Sequence, residues 1–67
     1  MSVAKVSEIT ASSEVSFDDA VKVGIARASK TLKNIKGAWV NEQTVDVKNG
    51  EVKSYRVNMK VTFVLDD

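Results

Sequence analysis

The sequence predicts an α+β fold in the order β-α-β-β, with a three-stranded antiparallel sheet wrapped around one helix. Three observations predict it: an apolar stripe at helical spacing, an Asn-Gly pair at 49–50, and an alternating segment after that pair. With 67 residues we expect one domain, 1–67. Such a small core rarely supplies more than about 3–5 kcal/mol without a disulfide, a metal or a partner subunit. The chain has no cysteine, so we expect self-association.

The first strand is predicted from Ala4 to Ala11, where the alternation is weak. The helix is predicted over about residues 17–35. Ser16 is placed to cap it with Asp19 three residues on, and Gly37 is placed to end it. Lys30, Lys33 and Lys36 would then occupy its last turns. The apolar stripe consists of Phe17, Ala20, Val21, Gly24, Ala28, Leu32 and Ile35, and its glycine indicates close approach to the sheet.

Asn49 and Gly50 predict a type I′ hairpin turn, which requires positive φ at both residues. Alternating apolar residues then predict a half-buried strand: Tyr55, Val57, Met59, Val61, Phe63 and Leu65. If that pair forms the loop, the inner-face partners are Ala38/Val61, Val40/Met59 and Thr44/Tyr55, and the outer-face partners are Trp39/Lys60, Asn41/Asn58 and Gln43/Arg56. This register places Glu42 inside and Val45 and Val47 outside. Either a bulge near residues 42–45 corrects the mismatch, or these positions face a neighbouring subunit.

The composition excludes several functions. The chain has no histidine or cysteine, so it lacks an imidazole base and a thiol nucleophile. Its other ionisable residues form no recognisable catalytic motif, so we expect no enzyme. The net charge of +1 gives no basic surface for nucleic acid. No apolar run approaches the about 18 residues that suggest a membrane span, and the N-terminus lacks a signal core, so we expect a cytoplasmic protein.

Five segments resemble the dodecin family, collinearly and over nearly the whole chain: KVSEI at 5–9, SFDDAV at the helix start, IARASKTLKNI at 25–35, the NG turn, and YRVNMKVTF at 55–63. The resemblance implies a hollow shell of twelve identical subunits. It also implies that flavins, FMN or riboflavin, bind as stacked pairs near a two-fold axis, for storage and without turnover. In the family a tryptophan after the helix stacks on the flavin ring, and a glutamine in the last strand bonds the ring edge.

Both of these family positions are changed in this chain: the tryptophan position falls on Gly37 and the glutamine position on Arg56. Arginine only donates hydrogen bonds, whereas a flavin edge needs a donor and an acceptor. Trp39 lies two residues on, and two hypotheses stay open. It stacks on a shifted ligand while Arg56 pairs with a phosphate or carboxylate, or it fills the vacated space at a subunit contact. Gln43 and Arg56 would form either a polar ligand shelf or an interface hydrogen bond.

Two further sites are considered. Glu42, Asp46 and Glu51 would supply oxygen ligands for Ca²⁺ or Mg²⁺ where symmetry copies converge, or would be solvated. The resemblance also implies an anionic-ligand surface, as for coenzyme A, whose residues here are Lys5, Arg27, Thr31 and Lys33; solvated helix charges are the alternative. The sequence therefore leaves two functions open: a shell that binds or stores a flavin-type small ligand, or a flavin-free structural shell that binds metal ions or another anion.

Overall fold

The computed structural model describes residues 2–65 of the chain. Its elements, in chain order, are β1 (Ala4–Ser13), α1 (Phe17–Ala28), β2 (Ile35–Lys48) and β3 (Glu51–Val64). The strands form one antiparallel sheet in the order β1-β3-β2, and α1 packs on β1 and β3. The predicted β-α-β-β fold is confirmed. Among the residues described, no helix is long and apolar enough to cross a membrane.

The start of α1 is confirmed as predicted. Ser16 has an extended backbone, and its hydroxyl accepts a hydrogen bond from the Asp19 amide at 3.0 Å, which satisfies one of the free N–H groups of the first turn. The Asp19 carboxylate accepts a hydrogen bond from the Ser13 hydroxyl at 2.6 Å. Because Ser13 is the last residue of β1, this bond fixes the angle at which the chain leaves the strand and enters the helix.

The predicted end of the helix is wrong. α1 stops at Ala28, and the segment predicted as its last turns contains a tight turn followed by Ile35, the first residue of β2. The Ser29 hydroxyl donates to the Ile25 carbonyl, a local bond that competes with helix continuation. Asn34 has φ of 63° and is the left-handed residue that reverses the chain, the role we had given to Gly37. Lys30, Lys33 and Lys36 therefore lie outside the helix.

The core lies between α1 and β3. Ala20, Val57 and Met59 are fully buried there, with Phe17 and Ile9 packed around them. We call the side of the sheet that faces α1 the inner face and the opposite side the outer face.

Gly24 allows the close approach that the sequence predicted. A Cβ atom at this position would lie 2.7 Å from the Met59 methyl carbon and 2.9 Å from the Ala11 Cβ. Any side chain here would force the helix away from the sheet, so the glycine lets α1 sit directly on β1 and β3.

The hairpin turn is confirmed, with φ of 54° at Asn49 and 78° at Gly50. The register is confirmed at three pairs: Ala38/Val61, Trp39/Lys60 and Val40/Met59. It is wrong at the next three, because Asn41 is an extra residue in β2 and the register shifts between Val40 and Glu42. The observed partners are Glu42/Asn58, Gln43/Val57, Thr44/Arg56 and Val45/Tyr55. A bulge was one of the two open explanations, and it lies just before the predicted window.

This bulge reverses the faces of the residues that follow it, since side chains alternate along a strand. Val45, opposite Tyr55, moves to the inner face, and Glu42, opposite Asn58, moves to the outer face. A second shift, between Asp46 and Val47, adds Lys53 to β3 and keeps Val47 and Val52 paired.

Candidate functional site

Three of the four predicted cofactor residues lie on the outer face of the sheet. Gly37 pairs with Thr62, Trp39 with Lys60, and Arg56 with Thr44, all at positions that alternate with the buried inner-face residues of β3. The indole of Trp39 is 49% exposed. A Cβ at Gly37 would meet no atom within 4 Å, so the position where the family resemblance implies a tryptophan is open.

Lys60 lies beside Trp39 on the outer face. Its Nζ is 5.5 Å from the centroid of the indole ring, within the range of a cation–π contact. Such a contact contributes about 0.5–1 kcal/mol at an exposed site. It places a positive charge at an exposed aromatic surface on which a planar ligand could stack.

Arg56 is held by an acidic partner on the neighbouring strand. One of its guanidinium nitrogens donates to the Asp46 carboxylate at 2.8 Å, and the Ser54 hydroxyl donates to the same oxygen at 2.7 Å. The guanidinium has five N–H donors, so its remaining donors are available to an anionic ligand. The pair is about half exposed and contributes roughly 0.2–1 kcal/mol to stability; its main effect is to position Arg56.

A line of polar side chains crosses the outer face between Trp39 and Arg56. The amide of Asn41 donates to Asn58 at 3.1 Å, and the amide of Asn58 donates to the Thr10 hydroxyl at 3.2 Å. Next to it is an open depression of about 280 Å³, lined by Thr10, Glu42, Thr44, Arg56 and Asn58. The outer face thus joins an exposed aromatic ring, two cations and ordered amide groups on one surface.

Gln43 does not belong to this surface. It pairs with Val57, a buried inner-face residue, whereas Arg56 lies on the outer face opposite Thr44. The predicted cross-strand pair of Gln43 and Arg56 is therefore wrong, and the extra residue Asn41 is the cause. A ligand contact by Gln43 stays a prediction, but it cannot be made through a shelf shared with Arg56.

Of the three carboxylates considered as metal ligands, Glu51 is the first residue of β3, whereas Glu42 and Asp46 both lie on the outer face of β2. They are four residues apart, which corresponds to roughly 13 Å along a strand. Within residues 2–65 there is no group of three acidic side chains arranged to hold a metal ion. Asp46 already accepts hydrogen bonds from Ser54 and Arg56. Neither carboxylate therefore belongs to a complete metal site within the described residues.

The structure does not bring the four residues of the predicted anionic-ligand surface together. Arg27 and Thr31 line an open groove of about 470 Å³ between α1 and β1, which we call the helix–β1 groove. Its floor and walls are mainly small or apolar, with Gly24, Ala28 and Val23 on the helix side. Lys5 and Lys33 are not among the groove residues, so this predicted set of four does not form one site within the chain.

Sequence reasoning missed the Asp46–Arg56–Ser54 cluster and the Asn41–Asn58–Thr10 line. Both depend on the register, and a single extra residue in β2 changes every partner beyond it. One signal was available. In the unshifted register Glu42 would face the core and Val45 the solvent, and moving the bulge to Asn41 corrects both.

A model of the Dodecin family matches residues 3–66 of the chain. No curated protein matches it.

Solved structures agree with the family match. Dodecin from Streptomyces davaonensis has a TM-score of 0.95 and 35% identity, covering 98% of this chain and 97% of that one. The tt0972 protein from Thermus thermophilus has a TM-score of 0.95 and 31% identity, covering 100% and 98%. The calcium dodecin of Mycobacterium tuberculosis, described as having a novel calcium-binding site, has a TM-score of 0.82 and 31% identity, covering 96% and 91%.

Proposed function

Because the chain belongs to the dodecin family, we propose that it is a non-catalytic protein that forms a hollow homo-dodecamer and binds or stores a flavin, FMN or riboflavin. The observation that carries the proposal is the exposed indole of Trp39 on the same sheet face as Gly37 and Arg56. An exposed aromatic surface provides stacking area for a planar ring, and aromatic pairs contribute about 0.5–1.5 kcal/mol beyond the area they bury.

The ligand position is shifted along the sheet relative to the one implied by the family resemblance. Gly37 offers no stacking surface, and Trp39 lies two residues further along β2, about 7 Å away. A flavin stacked on Trp39 would have Lys60 at its ring and Arg56 further along the face. The shift and the loss of the amide at position 56 both favour weaker binding than in a member with the usual tryptophan and glutamine.

The cations favour a phosphorylated flavin. Lys60 lies over the indole, and Arg56 is oriented by Asp46 with unused N–H donors. Charge-assisted hydrogen bonds to phosphate are roughly twice as strong as neutral ones. We therefore expect FMN to bind more tightly than riboflavin, which has no phosphate.

The test is titration of FMN and riboflavin with the protein, followed by quenching of flavin fluorescence at micromolar concentrations. We expect Trp39→Ala to abolish quenching and Lys60→Gln to weaken FMN more than riboflavin. Gly37→Trp with Arg56→Gln should strengthen riboflavin binding, which does not use the cation at position 56 for a phosphate. Val15→Thr is the matched control, because Val15 is an exposed valine in the connection between β1 and α1, outside the sheet face that carries Trp39. Flavin fluorescence that stays unquenched with the wild-type chain refutes flavin binding.

A second candidate, a flavin-free shell that binds calcium, is favoured by the similarity to the calcium dodecin of Mycobacterium tuberculosis. Here Glu42 and Asp46 from different copies would supply the oxygen ligands, at the cost of the Arg56–Asp46 ion pair. Isothermal titration with Ca²⁺ of the wild-type chain and of Asp46→Asn separates the two proposals. Calcium binding that depends on Asp46, without any flavin quenching, favours this candidate.

The proposal also includes a cytoplasmic location and no nucleic-acid or membrane partner. The net charge of +1 supports the expected lack of a nucleic-acid partner, because proteins that bind phosphate backbones generally carry a marked basic excess.

A further inference from the structure

The hairpin formed by β2 and β3 extends beyond the ends of β1 and α1. The last residue of β1, Ser13, pairs with Tyr55, and the first residue of α1, Phe17, packs edge-on against the same Tyr55 at 5.1 Å between ring centroids. Both covering elements therefore stop at Tyr55. We call the residues beyond it, 45–54, the hairpin arm. The hairpin arm forms one end of the molecule, which is 51 Å long, 19 Å wide and 14 Å thick.

The apolar inner face continues into the hairpin arm without a cover. Val45, Val47 and Val52 lie on that face and are 41, 62 and 50% exposed. A two-stranded ribbon is marginally stable by itself in water, and it normally needs a third strand or a helix against its apolar side. Within residues 2–65 the hairpin arm has neither, so its valines are placed for contact with another molecule.

The surface area indicates how large that contact is. The chain exposes 4916 Å² and has a radius of gyration of 13.8 Å. A compact monomer of this mass would expose about 4,200 Å², and a compact chain of this length would have a radius near 11 Å. The excess of about 700 Å² is close to the roughly 800 Å² that each partner contributes to a standard protein–protein interface.

The chain also carries a surface that can receive the arm. The helix–β1 groove has an apolar floor at Gly24 and Ala28, and it runs along β1 from Ser7 to Ser12, roughly 17–20 Å of strand. The hairpin arm has four residues in each strand, 45–48 and 51–54, which is about 13 Å by the same measure, plus the two turn residues. Val52 lies seven residues from Met59, which packs at Gly24, so roughly 23 Å of paired strand separates Val52 from the groove floor at Gly24 of its own chain. The two surfaces of one chain cannot meet.

We infer that the hairpin arm of one copy docks its inner face, Val45, Val47 and Val52, in the helix–β1 groove of a second copy. The inference rests on the proposed self-association and names the surface through which it occurs. Two different surfaces make this contact heterologous, so it repeats from copy to copy until the rotation closes a ring. The occupant of the groove is then protein, with Arg27 and Thr31 at its rim.

The test is sedimentation velocity of the wild-type chain, Val47→Lys and the control Val6→Lys over a range of concentrations. Val6 is also an exposed valine, on the outer face of β1. A buried charge should raise the concentration at which Val47→Lys assembles at least about tenfold, with a species near 7.3 kDa below it. Val6→Lys should assemble like wild type. Equal behaviour of the two variants overturns the inference.

A cross-linking experiment identifies the docking partner and does not depend on the lysine variant folding. The chain contains no cysteine, so Val23→Cys with Val47→Cys introduces one thiol in the groove and one in the arm. Because a disulfide requires Cα atoms within about 7 Å, these thiols can join only between copies. We expect covalent oligomers on oxidation, at least severalfold more than from Val23→Cys with Val6→Cys. Equal yields overturn the groove assignment.

The two proposals fail separately. If flavin quenching is absent while the Cys pair cross-links, the ligand proposal fails and the docking inference stands. If quenching occurs and Val47→Lys assembles like wild type, the docking inference fails alone.

Discussion

β3 contains valines of two kinds. Val57 and Val61 are fully buried, whereas Val52, which lies on the same inner face of the same strand, is 50% exposed. The register shift at Lys53 keeps Val52 opposite Val47 on the inner face, so the face is shared and only the element above it differs. α1 has 12 residues, about 18 Å of helix, while β3 has 14 residues, about 46 Å of strand. Alternation together with the register shifts therefore fixes which face a residue lies on, and the length of the covering element decides whether it is buried.

Among the stability changes that distinguish the helix-covered part of β3 from the exposed part, the largest is expected at Met59, beneath the helix. Met59→Ala removes a fully buried side chain from the core, and we expect a loss of about 2–5 kcal/mol in the free energy of unfolding. Urea unfolding followed by Trp39 fluorescence measures it, at one fixed protomer concentration because assembly adds to apparent stability. Val6→Ala, at an exposed valine, should change stability by no more than about 0.5 kcal/mol. Similar losses from both variants would contradict the core described here.

A second comparison uses two glycines, one beneath the helix and one outside it. Gly24→Ala gains helix propensity, but its Cβ would lie 2.9 Å from the Ala11 Cβ on the neighbouring strand. We expect a net loss of about 1–2 kcal/mol in thermal unfolding, since overpacking outweighs propensity. Gly37→Ala meets no atom within 4 Å, and it should be neutral or slightly stabilising. A stabilised Gly24→Ala variant would show that the helix does not approach the sheet this closely.

A smaller effect is expected at the junction where the covering helix begins. Ser16→Ala removes the hydroxyl that accepts from the Asp19 amide, so we expect a loss of about 1 kcal/mol. The loss is measured by thermal unfolding followed by far-ultraviolet circular dichroism. Ser12→Ala, at an exposed serine that caps no helix, is the control, and its midpoint should stay at the wild-type value. An unchanged midpoint for Ser16→Ala would contradict the observed cap.

The sequence was sufficient for the parts of the fold that depend on local chemistry. Ser16, Gly24 and the Asn49-Gly50 turn each have one physical role that their residue type indicates, and all three are confirmed. The end of the helix was not predictable in the same way. Ser29 and Asn34 stop it through a side-chain hydrogen bond and a left-handed backbone, and residues of these types also occur within helices.

The candidate site was only partly predictable, because it depends on register. The placement of Gly37, Trp39 and Arg56 on one face follows from alternation, which the bulge at Asn41 leaves intact for these residues. The bonds from Asp46 to Arg56 and from Asn41 to Asn58 do not follow from it, since they require the position of one extra residue in β2. Packing, rather than local preference, selects that position.

The smallest expected change in stability is at Arg56, on the outer face of the sheet, which no other described element covers. Arg56→Gln removes an ion pair in which both side chains are 47% exposed, so the free energy of unfolding should change by less than about 1 kcal/mol. Asp46→Asn, the partner variant, should behave alike, and their double variant should show little further loss, since both remove the same contact. The chemical effect is different: an amide adds the hydrogen-bond acceptor that arginine lacks. Quenching of riboflavin, which has no phosphate for the arginine to bind, should therefore increase for Arg56→Gln and not for Asp46→Asn. Equal riboflavin quenching by the two variants would indicate that position 56 does not contact the ring edge.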